Sequence, residues 1–254
     1  MESALIQLEE RTDGVAIVTL NRPEKRNALN VALMESLCAA MERLAENATC
    51  RVVIVQGTGP VFCAGLDLTE AAQPDIAERG AEAVARMLRT VAESPLVTIA
   101  AAHGAALAGG AGLMAACDFV VATDDLCIGF PEVRRGLVPA LVSTVLRQRV
   151  QESSLRELLL LANEIDALRA LQMGLIDRMA KPDELLDVAL AIATQILMAA
   201  PNAVRLTKQL LRETRELPQG DALRLALDFH SQARSGDEAR EGLAAFAERR
   251  SPRW

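Results

Sequence analysis

The stretch Ala101–Asp118 constrains the fold more than any other part of this 254-residue sequence. It follows an apolar run centred on Val97–Ile99, which predicts a buried strand, and it passes through Gly109 and Gly110 into small residues that predict a helix. At such a junction the first N–H groups of the helix are unpaired, and the positive end of the helix dipole lies behind them. The junction is therefore suited to bind an anion, or an oxygen that becomes one.

Strand and helix patterns alternate through the first half of the chain. Runs of β-branched residues at 15–20 and 51–56 predict strands. Apolar residues at three-to-four spacing predict helices at 30–46, with Asn30 as the cap, and at 75–93. This alternation favours parallel strands with packed crossovers, so we expect an α/β fold.

Two short strands are predicted at 119–122 and 126–128. Pro131 follows them and suits the first turn of a short helix. The rest of the second half of the chain has a mainly helical pattern. The predicted helices, interrupted only at 175–179, are 141–150, 153–161, 165–173, 183–198, 203–214 and 222–250. No linker rich in Pro, Gly or Ser separates the two halves. We therefore expect one domain whose helical part is a lid or an oligomerisation element.

Composition argues against several classes of function. The 27 basic and 34 acidic residues give a net charge of −7, which disfavours general binding to nucleic acid or to an anionic membrane. Five cysteines without a C-x-x-C pair and two histidines disfavour a disulfide framework and a metal site, and the absence of tyrosine disfavours base stacking. With no apolar run of about 20 residues and no signal-like N-terminus, we expect a cytoplasmic protein.

The glycines do not form a nucleotide-binding motif, because neither G-x-G-x-x-G nor a phosphate loop is present. They could serve only to let a helix pack closely on a strand. A second glycine turn, Ala64-Gly65-Leu66, also follows a strand end, and this favours a different interpretation. One backbone N–H from each turn can converge on a single carbonyl oxygen.

Glu132 is the candidate acid or base, since its apolar flanks and Pro131 predict partial desolvation and a raised pKa. The competing interpretation is an acidic residue that stabilises a helix N-terminus. Asp67 and Asp118 have the character of structural hydrogen-bond acceptors, His103 that of a packed histidine, and Cys63 that of a small core residue.

Six blocks of this sequence, in order and spacing, resemble those of the enoyl-CoA hydratase/isomerase (crotonase) family. They are Asn-Arg-Pro-Glu-Lys-Arg-Asn-Ala-Leu-Asn at 21–30, Gly-Pro-Val-Phe-Cys-Ala-Gly-Leu-Asp-Leu at 59–68, His-Gly-Ala-Ala-Leu-Ala-Gly-Gly at 103–110, Ala-Cys-Asp at 116–118, Pro-Glu-Val-Arg-Arg-Gly-Leu-Val-Pro at 131–139, and Glu-Gly-Leu-Ala-Ala-Phe-Ala-Glu-Arg-Arg-Ser-Pro at 241–252. Each block is weak alone, but the order and spacing of the six match over nearly the whole chain.

The resemblance implies a crotonase-like spiral of ββα units over residues 1–195, which holds the oxyanion hole and the acyl-CoA site, and a helical oligomerisation region over 196–254. It implies a homotrimer, or a hexamer formed by two trimers. The substrate would be an acyl-CoA thioester, with no metal and no cofactor beyond the coenzyme A that the substrate carries. Binding to nucleic acid or to a membrane is not expected.

By the same resemblance, Leu66 and Gly109 supply the N–H pair of the oxyanion hole and Glu132 is the catalytic glutamate. The positions that match coenzyme A contacts are Arg26, Ala28, Ala64, Asp67, Leu68, Lys208, Phe246 and Arg249, the last three near the nucleotide and in part from a neighbouring subunit.

Gly112 departs from the family pattern, because two-glutamate hydratases carry their second glutamate at this position. The turn at 62–70 resembles mitochondrial-type Δ3,Δ2-enoyl-CoA isomerases, whereas 109–113 and 132–140 resemble single-glutamate hydratases of the methylglutaconyl-CoA type. We favour hydration of a 2-enoyl-CoA, with isomerisation as the alternative. A non-catalytic binding protein of the same fold, an acyl-CoA hydrolase and a decarboxylase are further alternatives.

Overall fold

The computed structural model describes residues 4–254, which form two sheets surrounded by helices. The strands are Ile6–Glu10 (β1), Val15–Leu20 (β2), Val52–Gly57 (β3), Val97–Ala102 (β4), Ala105–Leu107 (β5), Phe119–Thr123 (β6), Cys127–Gly129 (β7), Ile165–Asp166 (β8) and Arg178–Ala180 (β9). The α-helices are Val31–Glu46 (α1), Leu68–Ala71 (α2), Pro74–Ala92 (α3), Gly109–Ala116 (α4), Ala140–Leu146 (α5), Glu152–Arg156 (α6), Ala167–Met173 (α7), Leu185–Leu197 (α8), Pro201–Thr214 (α9), Gln219–Ser235 (α10) and Asp237–Glu248 (α11).

The larger sheet has the order β1-β2-β3-β4-β6-β9, and the smaller has the order β5-β7-β8. In the larger sheet only β1 is antiparallel to its neighbour, and the central strands are parallel and in register, with Ile17 opposite Ile54 and Ile54 opposite Ile99. Both faces are covered, as expected for parallel strands that are apolar throughout. The expected α/β fold, built from successive ββα units with helices at the C-terminus, is confirmed.

The two faces of the larger sheet bury separate sets of side chains. Val18 and Val53 lie on the face that packs against α1, α3 and α4, whereas Ile17, Ile54 and Ile99 lie on the face covered by α8. The alternation follows from the two-residue period of a strand. Helix α1 begins where predicted, because the side chain of Asn30 accepts a hydrogen bond from the N–H of Leu33.

Several predicted helix boundaries are wrong. The segment 165–173 is a short strand followed by a helix, because Ile165 pairs with Ile128 and the Asp166 carboxylate then caps α7 at the Arg169 N–H. The predicted helix 222–250 is two helices, since Gly236 has an extended backbone conformation and ends α10 while it begins α11. The predicted interruption at 175–179 overlaps strand β9, which joins the edge of the larger sheet.

The helix predicted at 141–150 ends at Leu146, and the one predicted at 153–161 changes from an α-helix at Glu152–Arg156 to a π-helical turn at Glu157–Leu161. The predicted domain boundary at 195/196 lies in the last turn of α8. Within residues 4–254 no single helix is long and apolar enough to cross a membrane; α8 and α9 pass that test of length and composition together, but they meet at 104°.

Helix α9 is anchored to the larger sheet through Lys208. The lysine Nζ lies 2.6 Å from Asp118 Oδ2 and donates to the Leu96 carbonyl at 2.8 Å. The same Asp118 oxygen accepts from the backbone N–H and the hydroxyl of Thr98. Leu96 precedes β4 and Asp118 precedes β6, so the anchor lies at the amino-terminal edge of these parallel strands. Lysine and aspartate expose only 15% and 25% of their side chains.

Replacing Lys208 with methionine should lower the free energy of unfolding by about 2 kcal/mol, because a largely buried carboxylate loses its counter-charge. Denaturant unfolding at fixed protein concentration measures the loss. Lys181→Met is the matched control, since Lys181 and Glu184 are 70% and 53% exposed, and it should change stability by less than about 0.5 kcal/mol. Equal effects of the two substitutions would contradict the assigned anchor.

Candidate active site

Four chain segments run side by side in the same direction at one edge of the smaller sheet. Strand β5 is parallel to β7, with Leu107 opposite Gly129. Cys63 forms a parallel bridge with Ala106, and Leu29 forms one with Leu66. Because the four segments are parallel, the residues that follow them emerge at the same edge. The segments that contain Leu66, Gly109 and Glu132 are brought together in this way, as the sequence predicted for neighbouring glycine turns.

The direction of the Leu66 N–H is fixed by the hydrogen bond on the other side of its peptide unit. The Gly65 carbonyl accepts from the Leu29 N–H at 2.7 Å. Because the peptide is planar and trans, the Leu66 N–H points the opposite way, away from the paired segment 27–30. Gly65 has a φ of +91° and a Cβ there would lie 2.8 Å from the Leu107 carbonyl oxygen, so only glycine fits.

The Gly109 N–H has an equivalent arrangement at the start of α4. The Ala108 carbonyl accepts a hydrogen bond from the Gly112 N–H in the first turn of the helix. Because the peptide that joins Ala108 to Gly109 is planar, the Gly109 N–H points the opposite way, away from the helix. Ala108 has φ 47° and ψ −120°, which strains a residue with a Cβ. Among residues 4–254 neither the Leu66 N–H nor the Gly109 N–H has a hydrogen-bond partner. Two free donors of this kind suit an oxygen that gains negative charge.

Glu132 lies in the 3₁₀ turn Pro131–Arg135, which directly follows β7 through the fully buried Phe130. Its Oε2 is buried without a hydrogen-bond partner in the described chain. Burial raises the pKa of Glu132, and its own backbone N–H and the charge of Arg135 offset the rise only in part. A buried carboxylate oxygen without a partner is costly, so its presence here makes Glu132 a candidate for a chemical role.

The position of Gly112 has no room for a second carboxylate. A Cβ on this residue of α4 would lie 2.6 Å from Cγ1 of Val142 on α5 and 3.5 Å from Cδ2 of Leu88 on α3. Val142 and Leu88 are both buried. The apolar contact of three helices therefore fills the space that a glutamate side chain would enter.

The predicted coenzyme A contacts near the turns occupy neighbouring segments. Arg26 and Ala64 are joined by a backbone hydrogen bond of 3.0 Å, and the Arg26 side chain and Leu68 are exposed. The Ala28 carbonyl accepts from Arg22 at 3.0 Å. Asp67 is not free to meet a ligand: its carboxylate pairs with Arg22 at 2.8 Å and caps α2 through the Thr69 N–H.

The three predicted contacts from the C-terminal part are not brought together with the turns. Lys208 is bonded to Asp118 at the amino-terminal edge of β6, away from the carboxyl ends where the turns lie, so within this chain it is a structural anchor; its contact with a nucleotide stays a prediction. Phe246 is 84% exposed on α11 and Arg249 follows the end of that helix. Their contact with a nucleotide, from this subunit or a neighbour, stays a prediction.

Asn27 is a site-forming residue that sequence reasoning did not single out. It is fully buried with a φ of +54°. Its Nδ2 donates to carbonyls of the loop that follows β3, at 2.8 to 3.1 Å, and its Oδ1 accepts from the Arg22 N–H at 2.9 Å. Glu70 was also missed; its carboxylate accepts the Val31 N–H at the start of α1. A buried asparagine within a turn-forming loop was the available signal.

A groove of about 1510 Å³ lies elsewhere, lined in part by Asp118, Arg149 and Lys208, and neither Leu66, Gly109 nor Glu132 lines it. Its volume therefore does not identify the reactive site. The free donors at Leu66 and Gly109 and the unpartnered Oε2 of Glu132 make their shared edge the candidate site instead.

Comparison with known proteins identifies the family of this chain. The family model described as enoyl-CoA hydratase/isomerase matches residues 10–254. A putative enoyl-CoA hydratase of Thermus thermophilus is 37% identical, covering 98% of this chain and 100% of that protein, and a mevalonyl-coenzyme A hydratase of Aspergillus fumigatus is 34% identical over 96% and 92%. The crystal structure of an enoyl-CoA hydratase from Mycobacterium smegmatis superposes with a TM-score of 0.95 at 30% identity over 99% of both chains.

Gly112→Ala should lower the free energy of unfolding by about 1 to 3 kcal/mol, because the new methyl group overpacks against Val142. Adding Val142→Ala, which removes the obstructing Cγ1, should restore part of the loss in the double variant. Gly220→Ala is the control, since no described atom lies within 4 Å of a Cβ there, and it should leave stability equal or slightly higher. Additive losses in the Gly112 and Val142 double variant, measured by denaturant unfolding, would contradict the contact.

Proposed function

Since this chain belongs to the enoyl-CoA hydratase/isomerase family, we propose that it adds water reversibly across the double bond of a 2-enoyl-CoA thioester. The single observation that carries the proposal is the combination of two unpartnered backbone N–H groups, at Leu66 and Gly109, with Glu132, whose Oε2 is buried without a hydrogen-bond partner. The names of the similar proteins, several of them hydratases, support this choice of reaction.

The two N–H groups would bind the thioester oxygen and stabilise it as it becomes an enolate. Losing one such donor typically costs about 3 to 4 kcal/mol of transition-state stabilisation. Both donors belong to glycine-flanked turns held by neighbouring chain segments, so little reorganisation is needed when charge develops. The arrangement supports any reaction that passes through a thioester enolate.

Glu132 would act alone as base and then as acid. Its carboxylate takes a proton from water while the water oxygen bonds to C3, and the electrons of the C2–C3 double bond move to the thioester oxygen. The protonated Glu132 then returns its proton to C2 as the enolate collapses. The raised pKa of Glu132 makes the carboxylate a stronger base toward water, and a pKa nearer to the operating pH is the compromise that lets one group serve first as base and then as acid.

Isomerisation of a 3-enoyl-CoA is the second candidate, and the packing at Gly112 favours it. Moving a proton between C2 and C4 needs one carboxylate, whereas two-glutamate hydration uses a second, for which Val142 leaves no room. The non-catalytic alternative gains no support from the site, since both free donors and the unpartnered carboxylate are present.

We also propose assembly into a homotrimer or a pair of trimers. Large apolar side chains of the C-terminal helices are exposed in the single chain, with Leu211, Leu223 and Leu227 at 64%, 64% and 59%. Exposed apolar surface of this extent is typical of protein interfaces.

A screen of 2-enoyl- and 3-enoyl-CoA thioesters of varied chain length tests the proposed reaction. Loss of the conjugated enoyl absorbance from a 2-enoyl substrate is the expected result, and Glu132→Gln should abolish it while acyl-CoA binding is retained. A gain of this absorbance from 3-enoyl substrates alone would replace hydration with isomerisation. Near-parental turnover by Glu132→Gln would contradict the assigned role of Glu132.

The pH dependence should separate the chemistry of Glu132 from its effect on stability. The carboxylate must be ionised to accept a proton, so kcat/KM should fall with decreasing pH on a limb above 4.5, the ordinary pKa of glutamate. Because burial raises the folded-state pKa, ionisation opposes folding, and stability should decrease as pH rises through that value. Glu132→Gln should therefore be at least as stable as the parent at neutral pH and lose this advantage below pH 4.5. An acid limb at or below pH 4.5 would be inconsistent with the site.

A further inference from the structure

One guanidinium group joins the two chain segments that meet at the Leu66 turn. Arg22 Nη1 lies 2.8 Å from Asp67 Oδ2 and 3.0 Å from the Ala28 carbonyl oxygen. The side chains of Arg22 and Asp67 are only 14% and 10% exposed, so solvent screens this ion pair weakly. The pair therefore ties the loop 21–30 to the residue that directly follows Leu66.

The backbone N–H and both carboxylate oxygens of Asp67 have hydrogen-bond partners. Its N–H donates to the Leu29 carbonyl at 3.0 Å, and its Oδ1 accepts the Thr69 N–H at 3.0 Å while Oδ2 meets Arg22. Burial disfavours the charged carboxylate, but the hydrogen bond from Arg22 and the Thr69 N–H outweigh it and lower the pKa of Asp67. The carboxylate is thus ionised and fixed at neutral pH.

The loop that holds Arg22 is ordered by other contacts. The Arg22 N–H donates to Asn27 Oδ1, and the Arg22 carbonyl accepts the Asn27 N–H, both at 2.9 Å. Asn27 in turn bonds to three carbonyls of the segment 58–62. Breaking the ion pair therefore leaves the loop in place and removes its side-chain tie to the turn.

The Leu66 peptide has few other restraints. On one side is Gly65, whose backbone is permissive, and the Leu66 side chain is 37% exposed. The hydrogen bond from Leu29 to the Gly65 carbonyl fixes one end of the peptide, and Asp67 fixes the other. The ion pair with Arg22 adds a side-chain restraint to these backbone hydrogen bonds, and without it we expect the Leu66 N–H to deviate more from its direction.

We propose that the buried ion pair of Arg22 and Asp67 is a positioning element that holds the Leu66 N–H in line with the thioester oxygen. The proposal rests on the proposed function of the Leu66 and Gly109 donors. It differs from a coenzyme A contact at Asp67, because the carboxylate is already occupied by Arg22 and Thr69. A contact with the coenzyme would affect substrate affinity, whereas a positioning pair affects the rate of the chemical step.

Steady-state kinetics of Arg22→Gln, Asp67→Asn and the double variant test the proposal. Each single variant should lower kcat by about 10- to 100-fold with KM changed by less than about threefold, because a donor misplaced by about 1 Å loses this much rate. The kcat of the double variant should be no more than about threefold below that of the slower single variant, since both substitutions remove the same interaction. Asp13→Asn, which breaks the exposed pair of Asp13 with Arg11, should leave kcat unchanged.

A spectroscopic readout makes the test independent of turnover. The infrared C=O stretch of a bound saturated acyl-CoA, labelled with 13C at the carbonyl, should shift to lower frequency in the parent, and the shift should shrink in Arg22→Gln and Asp67→Asn. If the parent neither hydrates nor isomerises any substrate but still shifts the C=O stretch, the proposed reaction is rejected and the positioning role is kept. A raised KM with unchanged kcat, an undiminished shift in the variants, or no shift in the parent would overturn the role of the ion pair.

Discussion

The planarity of two peptide units is the constraint on which the site depends. The Leu66 and Gly109 N–H groups point outward because the carbonyl of each peptide unit accepts a hydrogen bond on the other side. The donors to these carbonyls are the Leu29 N–H and the Gly112 N–H. The fold therefore directs both donors through the backbone alone, and neither donor is a side-chain group. The parallel alignment of β5 and β7 and the bridges at Cys63 and Leu29 bring the two donors to the same edge as Glu132.

The carboxylate is subject to an opposite requirement. The donors must be free but may lie near solvent, whereas Glu132 must be desolvated without a partner if its pKa is to rise. Pro131 begins the turn and fully buried Phe130 precedes it, so the backbone holds the side chain in the interior. In the proposed reaction the two parts of the site have different tasks: the backbone N–H groups stabilise the developing charge, and the Glu132 side chain moves the proton.

The sequence was sufficient for the α/β architecture, for the two glycine turns and for the raised pKa of Glu132, because strand periodicity, turn chemistry and apolar flanks are local signals. It was insufficient where a residue's role depends on a distant partner. Lys208 meets Asp118 across 90 positions and Arg22 meets Asp67 across 45, and no spacing rule connects such pairs. Boundaries failed for a related reason: Ile165 is a strand only because Ile128 is beside it.

The contact between Gly112 and Val142 also limits how this chain could change over generations. A larger residue at 112 collides with Val142, and a smaller one at 142 leaves a hole beside an unaltered Gly112. Either single step costs stability before any second carboxylate can work. The one-glutamate and two-glutamate arrangements are therefore separated by epistasis, and the passage between them requires paired substitutions on two helices.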